Sequence, residues 1–124
     1  MKSICASILF LLAQWGVIGN VNADTEPNTI QYLYEQCTSP AAVANAYCAG
    51  YISGVAGSML MASNASKLSA THLNLGWCSD STVTVGQMMQ AFKNWHDKHP
   101  TIWGKDQALG VIGAMQETWP CSSY

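Results

Sequence analysis

The sequence predicts an all-α fold: a small domain of four helices, or four to five, braced by disulfides. Three observations predict it. Apolar residues recur at helical spacing in separate stretches along the chain. No segment alternates with period two for long enough to make a strand; Thr82 to Val85 comes nearest and is short. Four cysteines remain once an N-terminal leader is set aside, an even set in an exported chain of about 100 residues.

The leader is residues 1–23. Lys2 supplies a positive start, Ile4 to Ile18 is largely apolar, and Val21-Asn22-Ala23 is a small-x-small cleavage site. The pattern reads as a signal peptide cut before Asp24, leaving 24–124 as a single helical domain. An uncleaved anchor is the alternative, but the apolar core is shorter than a normal span. Cleavage removes one of five lysines and none of the seven acidic residues, so four positive charges face seven negative ones, a net charge of −3. That balance disfavours a phosphate-backbone binder and a polybasic membrane patch. Cys5 leaves with the leader, and Cys37, Cys48, Cys78 and Cys121 remain.

Helix 1 is expected from about Asn28 to Cys37, where Ile30, Leu33, Tyr34 and Cys37 fall at i, i+3, i+4, i+7. Thr38-Ser39-Pro40 ends it, and Ser39-Pro40 makes a good N-cap with proline at the first helical position. Helix 2 is expected from about Pro40 to Ser63. Its centre is Tyr47-Cys48-Ala49-Gly50-Tyr51-Ile52-Ser53-Gly54-Val55-Ala56-Gly57. Gly50, Gly54 and Gly57 form one stripe at i, i+4, i+7. Each costs about 1 kcal/mol in a helix interior, so the stripe predicts close approach of another helix. Residues 36–66 carry no charge, which admits a membrane-spanning reading. Asn45, Ser53, Ser58 and the many Ala and Gly residues favour instead a helix covered on most sides in a bundle or a dimer.

Asn64 to Trp77 reads as a polar connection. Asn64-Ala65-Ser66 matches a glycosylation sequon that arises easily by chance, and Leu73-Asn74-Leu75 fits a short turn. Thr84-Val85-Gly86-Gln87 has the form of a capping box. Val85, Met88, Met89, Phe92 and Trp95 give helix 3 its stripe, and His99-Pro100 stops it. Thr101 to Lys105 is a connection carrying Trp103 as an exposed aromatic. Helix 4 starts near Asp106, with Ala108, Leu109, Val111, Ile112, Met115 and Trp119 as its buried face. Gly110, Gly113 and Ala114 are small enough to meet helix 2.

Four cysteines allow three connectivities. An antiparallel pairing of helices 3 and 4 brings Cys78 near Cys121, leaving Cys37 with Cys48. One conflict arises. A helix beginning at Pro40 sets Cys48 about 12 Å along its axis, whereas bridged Cα atoms lie within about 7 Å. Either helix 2 begins nearer Asn45, or the pairs are Cys48–Cys78 and Cys37–Cys121. The preferred set is Cys37–Cys48 with Cys78–Cys121.

The search for chemistry yields no catalytic residue, no metal site and no cofactor. His72, His96 and His99 match no ligand spacing, and thiols in an exported chain are expected to be oxidised. His96 and His99 fit a solvated helix C-terminus. A Cys–His hydrolase needs a free cysteine, against an even set of four. Asp97 and Asp106 lack an apolar frame that would raise their pKa. No strand precedes the glycines, so they are not a phosphate cradle. Met59, Met61, Met88 and Met89 read as core, with an adaptable binding surface as the alternative. A binding protein is therefore expected rather than an enzyme. A small holdase chaperone is the alternative, though this chain is poor in charge.

Tyr47-Cys48-Ala49-Gly50-Tyr51-Ile52-Ser53-Gly54-Val55 resembles the F/Y-C-x-G-Y-I-x-G signature of Tai-type periplasmic immunity proteins. These neutralise peptidoglycan amidase toxins delivered by bacterial type VI secretion. Further pieces match in order: Cys37 before the signature, Cys78 before the Thr84-x-x-Gln87 helix start, and His99-Pro100 closing that helix. Ala108 and Ala114 follow in the last helix, and Trp119-Pro120-Cys121 closes the match. The resemblance spans about residues 30–121. It implies an all-helical periplasmic domain, commonly a homodimer, that occludes the active-site cleft of a cysteine amidase. The expected partners are that amidase and a second copy of the chain, with no nucleic acid and no membrane insertion once the leader is cut. The expected contact residues are His96, His99, Ile102, Trp103 and Lys105, with Trp103 as anchor or, equally, tucked over its own core. Lys67 and His72 in the 64–77 connection form a second candidate surface.

Overall fold

The computed structural model describes residues 25–68, 75–78 and 82–121. The expected leader at 1–23 lies outside these residues, as does His72. The described chain is all-α: α1 Ile30–Thr38, α2 Ala42–Leu68, α3 Val85–Lys98 and α4 Gln107–Thr118, with a 3₁₀ turn at Pro100–Ile102 between the last two. Each of the four helices touches the other three, so a single core lies between them. No strand occurs among the described residues; two isolated bridges, Thr29 with Asp106 and Trp77 with Pro120, are the only β pairing there.

Helix α1 starts where Thr29 Oγ1 accepts the Tyr32 peptide N–H. Its Ile30, Leu33 and Cys37 turn inward. The first free N–H groups of α1 are met across the fold: Ile30 N donates to Lys105 O at 2.8 Å and Gln31 N to Trp103 O at 3.0 Å. Gln107 N donates back to Asn28 O at 2.9 Å. Asn28 turns the entering chain at φ 68°, a left-handed conformation that asparagine tolerates. Helix α1 ends at extended Ser39, as expected for a residue before proline.

Helix α2 has 27 residues and runs past Ser63 to Leu68. Asn64, Ala65 and Ser66 are therefore helical, not connection. Nothing in Asn64 to Leu68 breaks a helix, and Ser66 Oγ donates to Ser63 O within the turn. Cys48, Ile52, Ala56 and Met59 form the buried stripe. Met61, two residues on, is exposed, so it does not join the core as Met59 does. No helix among the described residues is long and apolar enough to cross a membrane.

Helix α3 carries the full capping box. Gln87 N donates to Thr84 Oγ1, and Thr84 N donates to Gln87 Oε1. Its Ala91, Phe92, Trp95 and His96 are buried. Helix α4 is capped by Asp106, whose carboxylate accepts from Ala108 N at 2.8 Å. Gln107, Gly110, Val111, Ala114 and Met115 face inward, whereas Leu109 is 57% exposed and does not join the expected buried face.

Gly110 and Gly113 meet α1 and α3, not α2. A Cβ on Gly110 would lie 2.8 Å from Ile30 Cγ1 and 3.1 Å from Phe92, and one on Gly113 2.7 Å from the Trp95 ring. The close helix approach expected of a glycine stripe is thus made by α4.

Cys37 bonds Cys48, and Cys78 bonds Cys121. Helix α2 begins at Ala42, six residues before Cys48, so neither proposed escape from the axial-distance conflict is needed. The conflict placed Cys37 level with the start of helix 2. Three residues, 39–41, link the helices, and an extended stretch of that length covers about 10 Å. That carries α2's start beyond the level of Cys37 while the two cysteines stay side by side.

Candidate partner-binding face

Gly50, Gly54 and Gly57 point away from the core. No atom lies within 4 Å of a Cβ placed on any of them. The stripe expected to receive a helix receives none among the described residues. The reason is the wheel: Cys48, Ile52, Ala56 and Met59 already supply the core-facing side, and the glycines occupy the opposite one.

Beside Gly50 and Gly54 lies an open groove of about 560 Å³ between α2 and α4. Gly50, Tyr51, Gly54 and Val55 form one wall. Leu75, Ile112 and Gln116 form the other. Val43 and Met61, on the glycine side of α2, are 84% and 75% exposed. No residue from 36 to 66 is charged, so the α2 side of the groove offers surface without an ionic group to desolvate. Sequence reasoning placed the glycines on one stripe but could not find Leu75, Ile112 and Gln116, which meet it only through the tertiary fold.

Tyr51 sits where α2 meets the start of α4. Burial, then the nearby Asp106 carboxylate, push its phenol above the ordinary value of 10.0, with partial relief from a hydrogen bond to Gln107. The native state therefore holds this proton more tightly than the unfolded chain. Its contribution is complete below pH 10 and is lost as pH rises through the raised value. Gln107, itself buried, donates from Nε2 to Tyr47 Oη at 3.0 Å, tying both tyrosines to the α4 start.

The connection after α3 is arranged otherwise than expected. His96 is 2% exposed, not part of a solvated turn. Its ring stacks between Tyr34, centroids 3.7 Å apart, and Trp103, 4.4 Å apart. Trp103 Nε1 donates to His96 O at 2.9 Å, so the indole folds back on the domain and does not project. The stack covers both faces of the His96 ring with an aromatic neighbour and one face each of Tyr34 and Trp103. His99 stacks on Trp95, its Nδ1 is 2.7 Å from Trp95 O, and its Nε2 is 3.1 Å from Glu117. Ile102 is half-buried against the core, and Lys105 alone of the five is exposed. Trp103 thus takes the second of its two expected arrangements, tucked over its own domain. The Lys67 side chain and His72 lie outside the described residues.

No group of three or more potential metal ligands exists among the described residues. All four cysteines between 25 and 121 are bonded, so none presents a thiol nucleophile.

Fold and surface together define a disulfide-braced four-helix domain with an open groove between α2 and α4. The chain belongs to the Rap1a immunity proteins, whose family model matches residues 29–121. No curated protein and no solved structure gives a significant match.

Proposed function

We propose that this protein is a periplasmic immunity protein of a type VI secretion system. In this reading residues 1–23 are a cleaved signal peptide and 24–124 form the mature single domain. The mature domain binds a cognate peptidoglycan amidase effector and blocks its active site by steric exclusion, without catalysis of its own. The observation that carries the reading is family membership over 29–121, together with the Tyr47–Val55 signature inside it. The rigidity of the domain supports that mechanism. Two disulfides and a single four-helix core hold a surface fixed before binding, which reduces the ordering entropy lost on association.

The effector surface in this proposal is the α2–α4 groove, with Gly50, Tyr51, Gly54 and Val55 along one wall and Ile112 on the other. Tyr47, half exposed beside it, provides an aromatic at the rim of the type that dominates protein interfaces. The family resemblance further implies a homodimer, which light scattering on the mature chain reads directly. The test of the reading is capture: the tagged mature chain, expressed in its own periplasm, retains a secreted murein amidase encoded beside it. Failure to retain any cell-wall hydrolase under those conditions contradicts the reading.

A further inference from the structure

We propose that Cys78–Cys121 is a redox-addressable latch on the groove, whereas Cys37–Cys48 is a fixed brace. The functional half of this rests on the reading of the groove as the partner face. Thiol–disulfide exchange needs a thiolate to reach a sulfur, so access decides which bond reacts. Cys37 and Cys48 are 3% and 0% exposed, inside the contact between α1 and α2. Cys78 is exposed and Cys121 half-buried.

The accessible bond is also the one tied to the groove. Cys78 N donates to Trp119 O at 3.0 Å, and Trp77 bridges to Pro120. Just before them, Gln116 Nε2 donates to Leu75 O at 2.7 Å. Gly76, at φ 71°, fits against the same glutamine: a Cβ there would meet Gln116 Nε2 at 3.3 Å. Leu75 and Gln116 both line the groove. The bond thus pins the 75–78 segment, one wall of the groove, to the end of α4.

Opening the latch is a two-electron exchange with a dithiol reductant. Its thiolate attacks one sulfur of the pair, forming a mixed disulfide and releasing the other cysteine as a thiolate. The second thiol of the reductant then attacks the mixed disulfide and frees the first cysteine. Cys78 and Cys121 end as thiols, having taken two electrons and two protons, and the reductant ends as a disulfide. The 75–78 segment then loses its only covalent tie to α4 and is held by the buried Trp77 and by its hydrogen bonds to α4, so the Leu75 wall is less firmly fixed.

The test is graded reduction of the folded mature chain with dithiothreitol, trapping with iodoacetamide, and mapping by mass spectrometry. Cys78 and Cys121 are expected to be labelled at least about tenfold faster than Cys37 and Cys48, with the far-ultraviolet helical signal retained. The variant Cys78→Ser/Cys121→Ser is expected to bind the effector at least about tenfold more weakly while staying helical. Equal labelling, or earlier labelling of Cys37 and Cys48, overturns the proposal. So does loss of the helical signal on opening this bond alone, or unchanged affinity in the variant. If the labelling order holds but filling the groove at Gly54 leaves affinity unchanged, the groove reading has failed and the selective chemistry of the bond stands.

Discussion

Gly110→Val will destabilise the domain by about 3 kcal/mol, while Gly54→Ala will leave it as stable or make it more so by about 1 kcal/mol. Both residues are helical glycines in an apolar context, and sequence alone does not separate them. At position 110 even the first added carbon would come within 2.8 Å of Ile30 Cγ1 and 3.1 Å of Phe92. Both neighbours are completely buried, so neither can swing out to solvent. Valine's two further carbons must push α1 and α3 apart, and overpacking of this kind typically costs 1–3 kcal/mol or more. At position 54 nothing lies within 4 Å, and alanine gains the helix propensity that glycine forfeits. For a domain of this size each kcal/mol moves Tm by roughly 4–8 °C. Thermal unfolding followed by circular dichroism should show Gly110→Val melting at least about 12 °C lower and Gly54→Ala unchanged or a few degrees higher. The opposite order would place the close helix contact on α2 after all.

Gly54→Trp should raise the effector Kd at least about 100-fold, about 2.7 kcal/mol, without unfolding the domain. The indole enters the open groove between α2 and α4, where there is space for it, and takes the volume that a partner's side chains would fill. Titration calorimetry measures the affinity, and light scattering on the free variant reports its oligomeric state. Unchanged affinity with a shift from dimer to monomer would assign this face to self-association. Unchanged affinity and unchanged mass would remove the face from any interface.

Much of the architecture was legible because it is local. The capping box at Thr84 and Gln87, the proline stops after Ser39 and His99, and the Asp106 start each act within a few residues. The buried stripe of α1 follows from periodicity in the same way, and so do Phe92 and Trp95 in α3. Val85, expected in that stripe, is exposed in the first turn, and Ala91 and His96 complete the buried face. What escaped the sequence is what needs partners far apart in the chain. The glycine stripe was visible, but which helix lies over it was not. The buried wheel position of Cys48 and Ile52 turns that stripe outward, and Gly110 and Gly113 make the close approach instead. His96 and Trp103 carry every local mark of an exposed helix end. Only Tyr34, 62 residues before His96, converts them into a stacked and buried set. The end of α2 lies beyond its expected position for a different reason: Asn64 and Ser66 look like loop, but a helix persists until something breaks it. The groove's second wall, Leu75 with Ile112 and Gln116, has no sequence signal at all, since it exists only where three separate segments converge.

The most direct measurement is hydrolysis of purified peptidoglycan by the effector amidase, with the mature chain titrated in. The account predicts that release of cleaved peptide stems falls to zero near one copy of this chain per enzyme, and that the chain alone releases none. Hydrolysis that continues unchanged at molar excess, or peptide release by the chain alone, would contradict it.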